Sequence, residues 1–214
     1  MKSIGILGAS GFAREVADIC EAMGYDNIIL INGNTQSDVY HDYKVLAEKN
    51  LEQLRSENYS FIIGIGANHI RRQIAQKYPD LDYVNVIHPS ATFGVKQWMR
   101  INKSVGNIVA AGVRFTCNIE IGNFNIFNLN STIGHDCIIG NYVNLSPGVN
   151  VSGNVSIGAN TFIGTNASIL PGKSLYDKLV IGQNVQIGAG AVVVESVRSD
   201  AIVMGVPAKE RTSI

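Results

Sequence analysis

His135 is the only histidine in residues 89–214, and it sits in the stretch NLNSTIGHDCIIG. An imidazole can take up a proton at working pH, and a carboxylate such as Asp136 next to it can fix its tautomer and raise its basicity. A lone histidine on a turn is ordinarily a solvated surface residue, so what this one can do depends on its neighbours in space. The repeat supplies them. Stepping by six from Ile121 meets Phe127, Ile133, Ile139, Leu145, Val151, Ile157, Ile163, Ile169, Leu175, Ile181, Ile187 and Val193, an unbroken apolar series. Glycine follows at 122, 134, 140, 158, 164, 182 and 188. A period of six fits neither a helix nor an alternating strand; it is the hexapeptide signature of a parallel β-helix. Three hexapeptides close one coil of about 18 residues, so residues that far apart stack. The expected columns are Ile121–Ile139–Ile157–Leu175–Val193, Phe127–Leu145–Ile163–Ile181 and Ile133–Val151–Ile169–Ile187.

On that scaffold His135 lies two residues past inward Ile133, so its ring points out at a coil edge. One coil on is Gly153 and one coil back is Cys117. A glycine beside the ring is expected to leave a gap with an open backbone N–H. A base, space for a thioester and a donor for the developing oxyanion are the requirements of acyl transfer.

The elements before the repeat read as an α/β unit. Strands are expected at 2–8, 27–32, 59–66 and 83–89, with helices at 9–25, 46–58 and 69–81 between them. This alternation implies a parallel sheet with helices packed over it. Two domains follow, 1–88 and 89–214, with an irregular first coil at 98–118 and a closing segment at 199–211. Gly8 and Gly11 stand where the first strand turns into the first helix. Such a turn lets backbone N–H groups approach a phosphate at a helix N-terminus. The stretch GILGASGFA is not a full GxGxxG, and the second strand ends in Asn32 where an NAD site offers an acid to the ribose. A dinucleotide dehydrogenase is therefore disfavoured. The pyrophosphate of another nucleotide remains, with Asn32 and Asn34 as neutral donors and acceptors and Arg14 on the first helical turn as a phosphate contact.

Composition narrows the remaining classes. The 214 residues carry 17 basic and 17 acidic side chains, which gives no basis for a nucleic-acid partner or an anionic membrane. No stretch reaches the ~20 apolar residues of a membrane-spanning helix, and the N-terminus lacks the pattern of a secretory signal. A cytoplasmic location is expected. Cys20, Cys117 and Cys137 show no metal-ligand spacing, and no metal is expected. Cys137 reads as core filler, and His88 as part of the domain junction.

The stretches GILGASGFAREV (5–16), FIIGIGANHIRRQI (61–74), IHPSA (87–91), IFNLNSTIGHDCIIGNYVNLSPG (126–148) and VMGVPAK (203–209) carry a resemblance over nearly the whole chain. Together they resemble the sialic-acid O-acetyltransferase-like and nucleotide-amino-sugar N-acetyltransferase family of bacteria. The likeness is nearest to the UDP-4-amino-sugar acetyltransferases of bacillosamine synthesis. The resemblance implies a left-handed β-helix, a homotrimer with sites between subunits, acetyl-CoA as donor and a nucleotide sugar as acceptor. Carried over by position, it makes His135 the general base, Asp136 its acidic partner, Asn128 a further catalytic residue and Gly153 the donor to the thioester oxygen. Asn144, Gly164, Thr165, Gly182, Pro207 and Lys209 fall with Gly153 at acetyl-CoA positions. Gly8, Ser10, Gly11, Arg14, Asn32, Asn34 and Gly66 fall at nucleotide-sugar positions. The chain departs from the pattern at Asn144, where relatives often have a second histidine, and at Asn32-Gly33-Asn34, where they have an acidic pair.

Three other functions compete. A sugar O-acetyltransferase would need the same base, and a GDP-linked amino sugar could replace the UDP-linked one. A metal hydratase on the same scaffold needs several converging histidines, and the repeat region has one. A binding protein without catalysis is the third.

Overall fold

The computed structural model describes residues 2–33 and 39–211. The α/β part contains β1 (Ser3–Leu7), α1 (Gly11–Ala22), β2 (Asn27–Asn32), β3 (Val39–Tyr40), β4 (Tyr43–Ala47), α2 (Leu51–Ser56), β5 (Ser60–Ile63) and α3 (Asn68–Lys77). The sheet order is β3-β4-β2-β1-β5, parallel except for the β3–β4 hairpin. Helix α1 forms because Ala13, Val16, Ala17 and Cys20 fall on one stripe, and all four are buried. It stops at Gly24, whose φ of 77° only glycine adopts freely. Because β1 lies between β2 and β5, the chain reverses direction across the sheet at β1. The crevice at that switch point, beyond the C-terminal strand ends, is where open α/β sheets hold ligands.

Two expected elements differ. The start of the 46–58 helix is the end of β4, since Leu46 and Ala47 pair with Ile31 and Asn32; only Leu51–Ser56 is α-helical. The expected strand at 83–89 does not join the α/β sheet as a strand. Tyr83 makes a single bridge to Phe61, and Val86–Ile87 pairs with Ile108–Val109 of the repeat. The six-residue rhythm in fact starts at Ile87 and Phe93, and pairing with an equivalent rung decides where these residues go.

The repeat folds into a three-faced parallel β-helix. The first face contains Val86–Ile87, Ile108–Val109, Ile126–Phe127, Asn144–Leu145, Phe162–Ile163, Gln186–Ile187 and Ile202–Met204. The second runs from Thr92–Phe93 through Thr132–Ile133 to Val192–Val193, and the third from Glu120–Ile121 through Ile138–Ile139 to Leu179–Ile181. Each strand is two or three residues long, so stability comes from stacked inward side chains: Ile133, Val151, Ile157, Ile163, Ile169 and Ile187 are at most 3% exposed. Turns between faces place one residue in the left-handed region. Asn118, Asp136 and Asn154 do so between the second and third faces, with φ of 57°, 59° and 58°. Asn and Asp tolerate this conformation best among residues with side chains.

Stacking at 18 residues holds as far as Ile157, Ile163 and Ile169 on the three faces, and there the expected columns need correction. Ile157 pairs with Ile181, Ile163 with Ile187 and Ile169 with Val193, each 24 residues on. Leu175, expected inside, is 45% exposed. Residues 172–178 loop out instead: Gly172 N–H donates to the Gly153 carbonyl (3.1 Å) and Leu179 N–H to that of Asn154 (3.0 Å), closing the loop at its root. An insertion of six residues preserves a period of six, so the sequence rhythm conceals it. The first coil also exceeds 18 residues because it holds α4 (Trp98–Ile101), and Thr92 pairs with Arg114.

Arg71 joins the two parts. Its side chain is fully buried and faces only neutral acceptors. It donates to the carbonyls of Phe124 (2.7 Å), Ile65 (3.0 Å), Gly66 (3.1 Å) and Tyr142 (3.2 Å) and to Asn68 Oδ1 (3.1 Å). Burial pulls its pKa down to about 9, which leaves it cationic at neutral pH. Asn68 Nδ2 extends the seam to the Thr161 carbonyl (3.1 Å).

Candidate active site

His135 sits in the turn from the second face to the third. The rung fixes it: Asp136 N–H donates to the Cys117 carbonyl (3.1 Å) on one side, and Asn154 N–H to the His135 carbonyl (2.8 Å) on the other. The left-handed conformation of Asp136 turns its carboxylate back toward the preceding ring, and His135 Nδ1 lies 2.7 Å from Asp136 Oδ2. The Asp136 carboxyl is held below the usual carboxylate range, first by the hydrogen bond from Asn118 and then by that with His135. As an ion it can only accept, so Nδ1 carries the proton and Nε2 of the neutral ring keeps its lone pair.

Gly153 lies directly against that ring. A Cβ there would stand 2.6 Å from His135 Cε1 and 2.9 Å from Cδ2, and closer still to Nε2. The missing side chain therefore does not leave an empty gap, as the sequence suggested; the imidazole fills it. The expected neighbourhood of ring and Gly153 nitrogen is present. Gly153 N–H makes no hydrogen bond among the described residues. A side chain at Gly134 would press on that nitrogen, its Cβ 2.5 Å away, so glycine at 134 keeps the donor uncovered. The His135 side chain is 55% exposed. One corner thus presents a base with a defined free nitrogen and an unused backbone donor, the parts needed to take a proton from a nucleophile and hold an oxyanion.

The other expected site residues lie elsewhere on the chain. Asn128, with Gly164 and Thr165, occupies the edge between the first and second faces. It borders a cavity of about 260 Å³ under α1, with Phe12, Glu15, His88 and Leu129. Gly182 lies on the edge between the third and first faces, so one chain cannot bring it to Gly164. Asn144, expected at the acyl donor, is buried on the first face and donates to the Gly66 carbonyl (3.0 Å). Pro207 is exposed in the closing segment, and Lys209 lies 3.7 Å from Glu195. Gly8 has φ 132°, and a Cβ there would meet the Gly64 carbonyl oxygen at 2.9 Å, so the turn requires glycine. Ser10 caps α1 without a side-chain hydrogen bond, and Gly11 begins that helix. Arg14 lies over the Tyr40 ring with its Nη2 4.0 Å from where a Cβ on Gly11 would stand, and its buried Nε has no partner among the described residues. Asn32 is exposed at the end of β2, and Gly66 lies across the switch-point crevice from Gly8. Asn34 falls outside the described residues.

The sequence profile of the PglD N-terminal domain matches residues 3–78. GDP-perosamine N-acetyltransferase of Escherichia coli O157:H7 is 29% identical over 213 residues, covering 96% of this chain and 84% of the relative. A histidine-to-asparagine variant of perosamine N-acetyltransferase from Caulobacter crescentus, solved with CoA and GDP-perosamine, superposes with a TM-score of 0.88. It is 28% identical, and the match covers 100% of this chain and 98% of that one. The acetyltransferase domain of PglB from Neisseria gonorrhoeae, solved with acetyl coenzyme A, gives 0.87 at 28% identity, covering 98% and 99%. Over nearly its whole length the chain is similar to the hexapeptide-repeat sugar N-acetyltransferases. Its fold is the Rossmann-like domain plus left-handed β-helix of this acetyltransferase family.

Several residues of this acetyltransferase escaped the sequence reading. Arg71 and Asn68 lay inside a quoted motif, yet their role in joining the domains needed coordinates. Lys178, whose Nζ meets the Asp136 carbonyl, is in the loop the period concealed. Asn118 could have been found, since it stands one coil before Asp136. Among the described residues no three His, Cys, Asp or Glu side chains are grouped to hold a metal, and no helix is long and apolar enough to cross a membrane.

Proposed function

We propose that this acetyltransferase moves the acetyl group of acetyl-CoA to the amine of a GDP-linked amino-deoxy sugar, with His135 as general base. The observation that carries the reading is the near-full-length match to a GDP-perosamine N-acetyltransferase combined with the His135–Asp136–Gly153 corner. The amine attacks as the free base, after its ammonium proton has gone to solvent. His135 Nε2 takes the second proton that the nitrogen sheds as it bonds to the thioester carbon, and the leaving thiolate can then recover that proton from the ring. Gly153 N–H donates to the thioester oxygen as it gains charge, the C–S bond breaks, and thiolate leaves. The UDP-linked acceptor that the sequence resemblance implies is the second reading.

A homotrimer is part of the proposal. The α/β domain docks on the first face through Arg71, Asn68 and Asn144, whereas His135 projects from the opposite edge. A nucleotide in the Gly8–Gly11 crevice, with Ser10, Arg14 and Asn32 around it, would then be served by the His135 of a neighbouring subunit. Gly164, Thr165 and Gly182, on different edges of one prism, would line one acetyl-CoA groove between two prisms. A cytoplasmic setting, where acetyl-CoA and nucleotide sugars are made, completes the reading.

The test is thiol release from acetyl-CoA with a panel of GDP- and UDP-linked amino sugars. Turnover is expected with a GDP-linked 4-amino-4,6-dideoxy sugar, and His135→Ala should lower kcat at least ~100-fold. Turnover only with UDP-linked acceptors would overturn the nucleotide assignment, and near-normal turnover by His135→Ala would remove the base.

A further inference from the structure

We propose that Asn118 and Arg100 are positioning residues for the His135–Asp136 pair, a role that rests on His135 being the base. Arg100 Nη2 donates to Asn118 Oδ1 at 2.7 Å, and Asn118 Nδ2 donates to Asp136 Oδ1 at 2.5 Å. The line ends at the 2.7 Å contact between Asp136 Oδ2 and His135 Nδ1.

Its direction is fixed at every step. A guanidinium has no acceptor, so it takes the amide oxygen and leaves the amide nitrogen to face Asp136. The ionised carboxylate accepts on both oxygens, so the ring must donate through Nδ1, which aims the free Nε2 at Gly153. Without the amide, the carboxylate is free to turn about its side-chain bonds, and the ring has nothing rigid to lean on. Lys178 holds the backbone of the same residue from the inserted loop. The charged and titratable groups around the ring are thus Asp136, Arg100, Lys178 and the thiols of Cys117 and Cys137.

Two features indicate more than turn formation. Asn118, Asp136 and Asn154 share one left-handed turn position in successive coils, and asparagine suffices there twice. The charge at 136 exceeds what the turn needs, and it is the member beside the histidine. Arg100 comes from α4, the helix that breaks the repeat in the first coil. The irregularity puts a cation where a hexapeptide would have put a strand.

The decisive variant is Asn118→Gly, which keeps the left-handed turn while removing the amide; Asn118→Asp also keeps the turn but sets two carboxylates together. The first readout needs no substrate: ¹⁵N NMR of the His135 ring across pH. The wild-type neutral ring should be predominantly the Nδ1–H tautomer, with that share falling in both variants and in Arg100→Met. The second readout is turnover, where kcat should fall about tenfold in Asn118→Gly with KM within about twofold, the scale of one hydrogen bond. Arg100→Lys should recover part of the loss seen in Arg100→Met. A wild-type tautomer share and titration midpoint in Asn118→Gly would overturn the proposal. If the wild-type protein itself turned over no amino sugar, the functional reading would fail while the NMR arm still reported on positioning.

Discussion

Replacing Gly153 by alanine separates the chemistry of the corner from its folding. The position has no left-handed φ, so the backbone accepts a side chain, and the whole effect is steric. The added methyl would stand 2.6 Å from His135 Cε1 and 2.9 Å from Cδ2. Relaxed carbon contacts begin at about 3.5 Å, so the ring must retreat by roughly 1 Å. It can do so cheaply because its side chain is 55% exposed and opens to solvent. The stability cost should therefore fall at the low end of overpacking, about 1 kcal/mol, or roughly 2–4 °C in Tm for a chain this long. The catalytic cost is larger, since a 1 Å misplacement of a reacting group is worth about 100-fold in rate.

Gly153→Ala should accordingly fold normally by circular dichroism and lose about 100-fold in kcat. The double variant with His135→Ala should be no slower than His135→Ala alone, because the two substitutions disable one interaction. It should also recover the small loss in Tm, since the truncated side chain makes room for the methyl. A Gly153→Ala protein with kcat within about threefold of wild type would refute the argument. So would losses that multiply in the double variant.

Other consequences can be measured independently. Arg71→Met leaves carbonyls of both parts without donors and should cost about 3 kcal/mol, seen as a Tm lower by roughly 6–12 °C. An unchanged Tm would show that the seam is not held by Arg71. On acidification, Asp136 stays ionised past the usual carboxylate range, because Asn118 and His135 depress its pKa. Its contribution to stability is present above the ordinary carboxylate range and is lost as pH falls through the lowered native value. The stability difference between wild type and Asp136→Asn, measured by denaturant unfolding, should then hold from neutral pH to about pH 5 and shrink as the pH falls through the ordinary carboxylate range and below it. A difference that stays constant throughout acidification would refute this.

What the sequence made legible was whatever a short period can encode. The inward columns through Ile157, the outward aim of His135 and its stacking on Gly153 all follow from counting by six. Counting failed where chain length changed without changing phase. The loop at 172–178 adds six residues, so Leu175 keeps an inward-looking number while standing in solvent. Arg71 was opaque for a different reason. A buried cation satisfied only by carbonyls and an amide leaves no complementary acid in the sequence to betray it. The expectation of an open gap at Gly153 failed because absence of a side chain says nothing of which neighbour occupies the space.

The two interruptions of the repeat bear on the same corner. Helix α4 lengthens the first coil and supplies Arg100, whose partner Asn118 holds the Asp136 carboxylate. The 172–178 loop lengthens a later coil, is rooted on the Gly153 carbonyl, and its Lys178 meets the carbonyl of Asp136. A regular β-helix offers identical rungs, and nothing in its geometry distinguishes one turn from the next. Here the rung of His135 is singled out by contacts from both directions along the prism axis, each made by residues outside the hexapeptide pattern. The regular coils set the spacing between imidazole and Gly153, and the irregular ones fix which atoms of Asp136 are free to meet the ring.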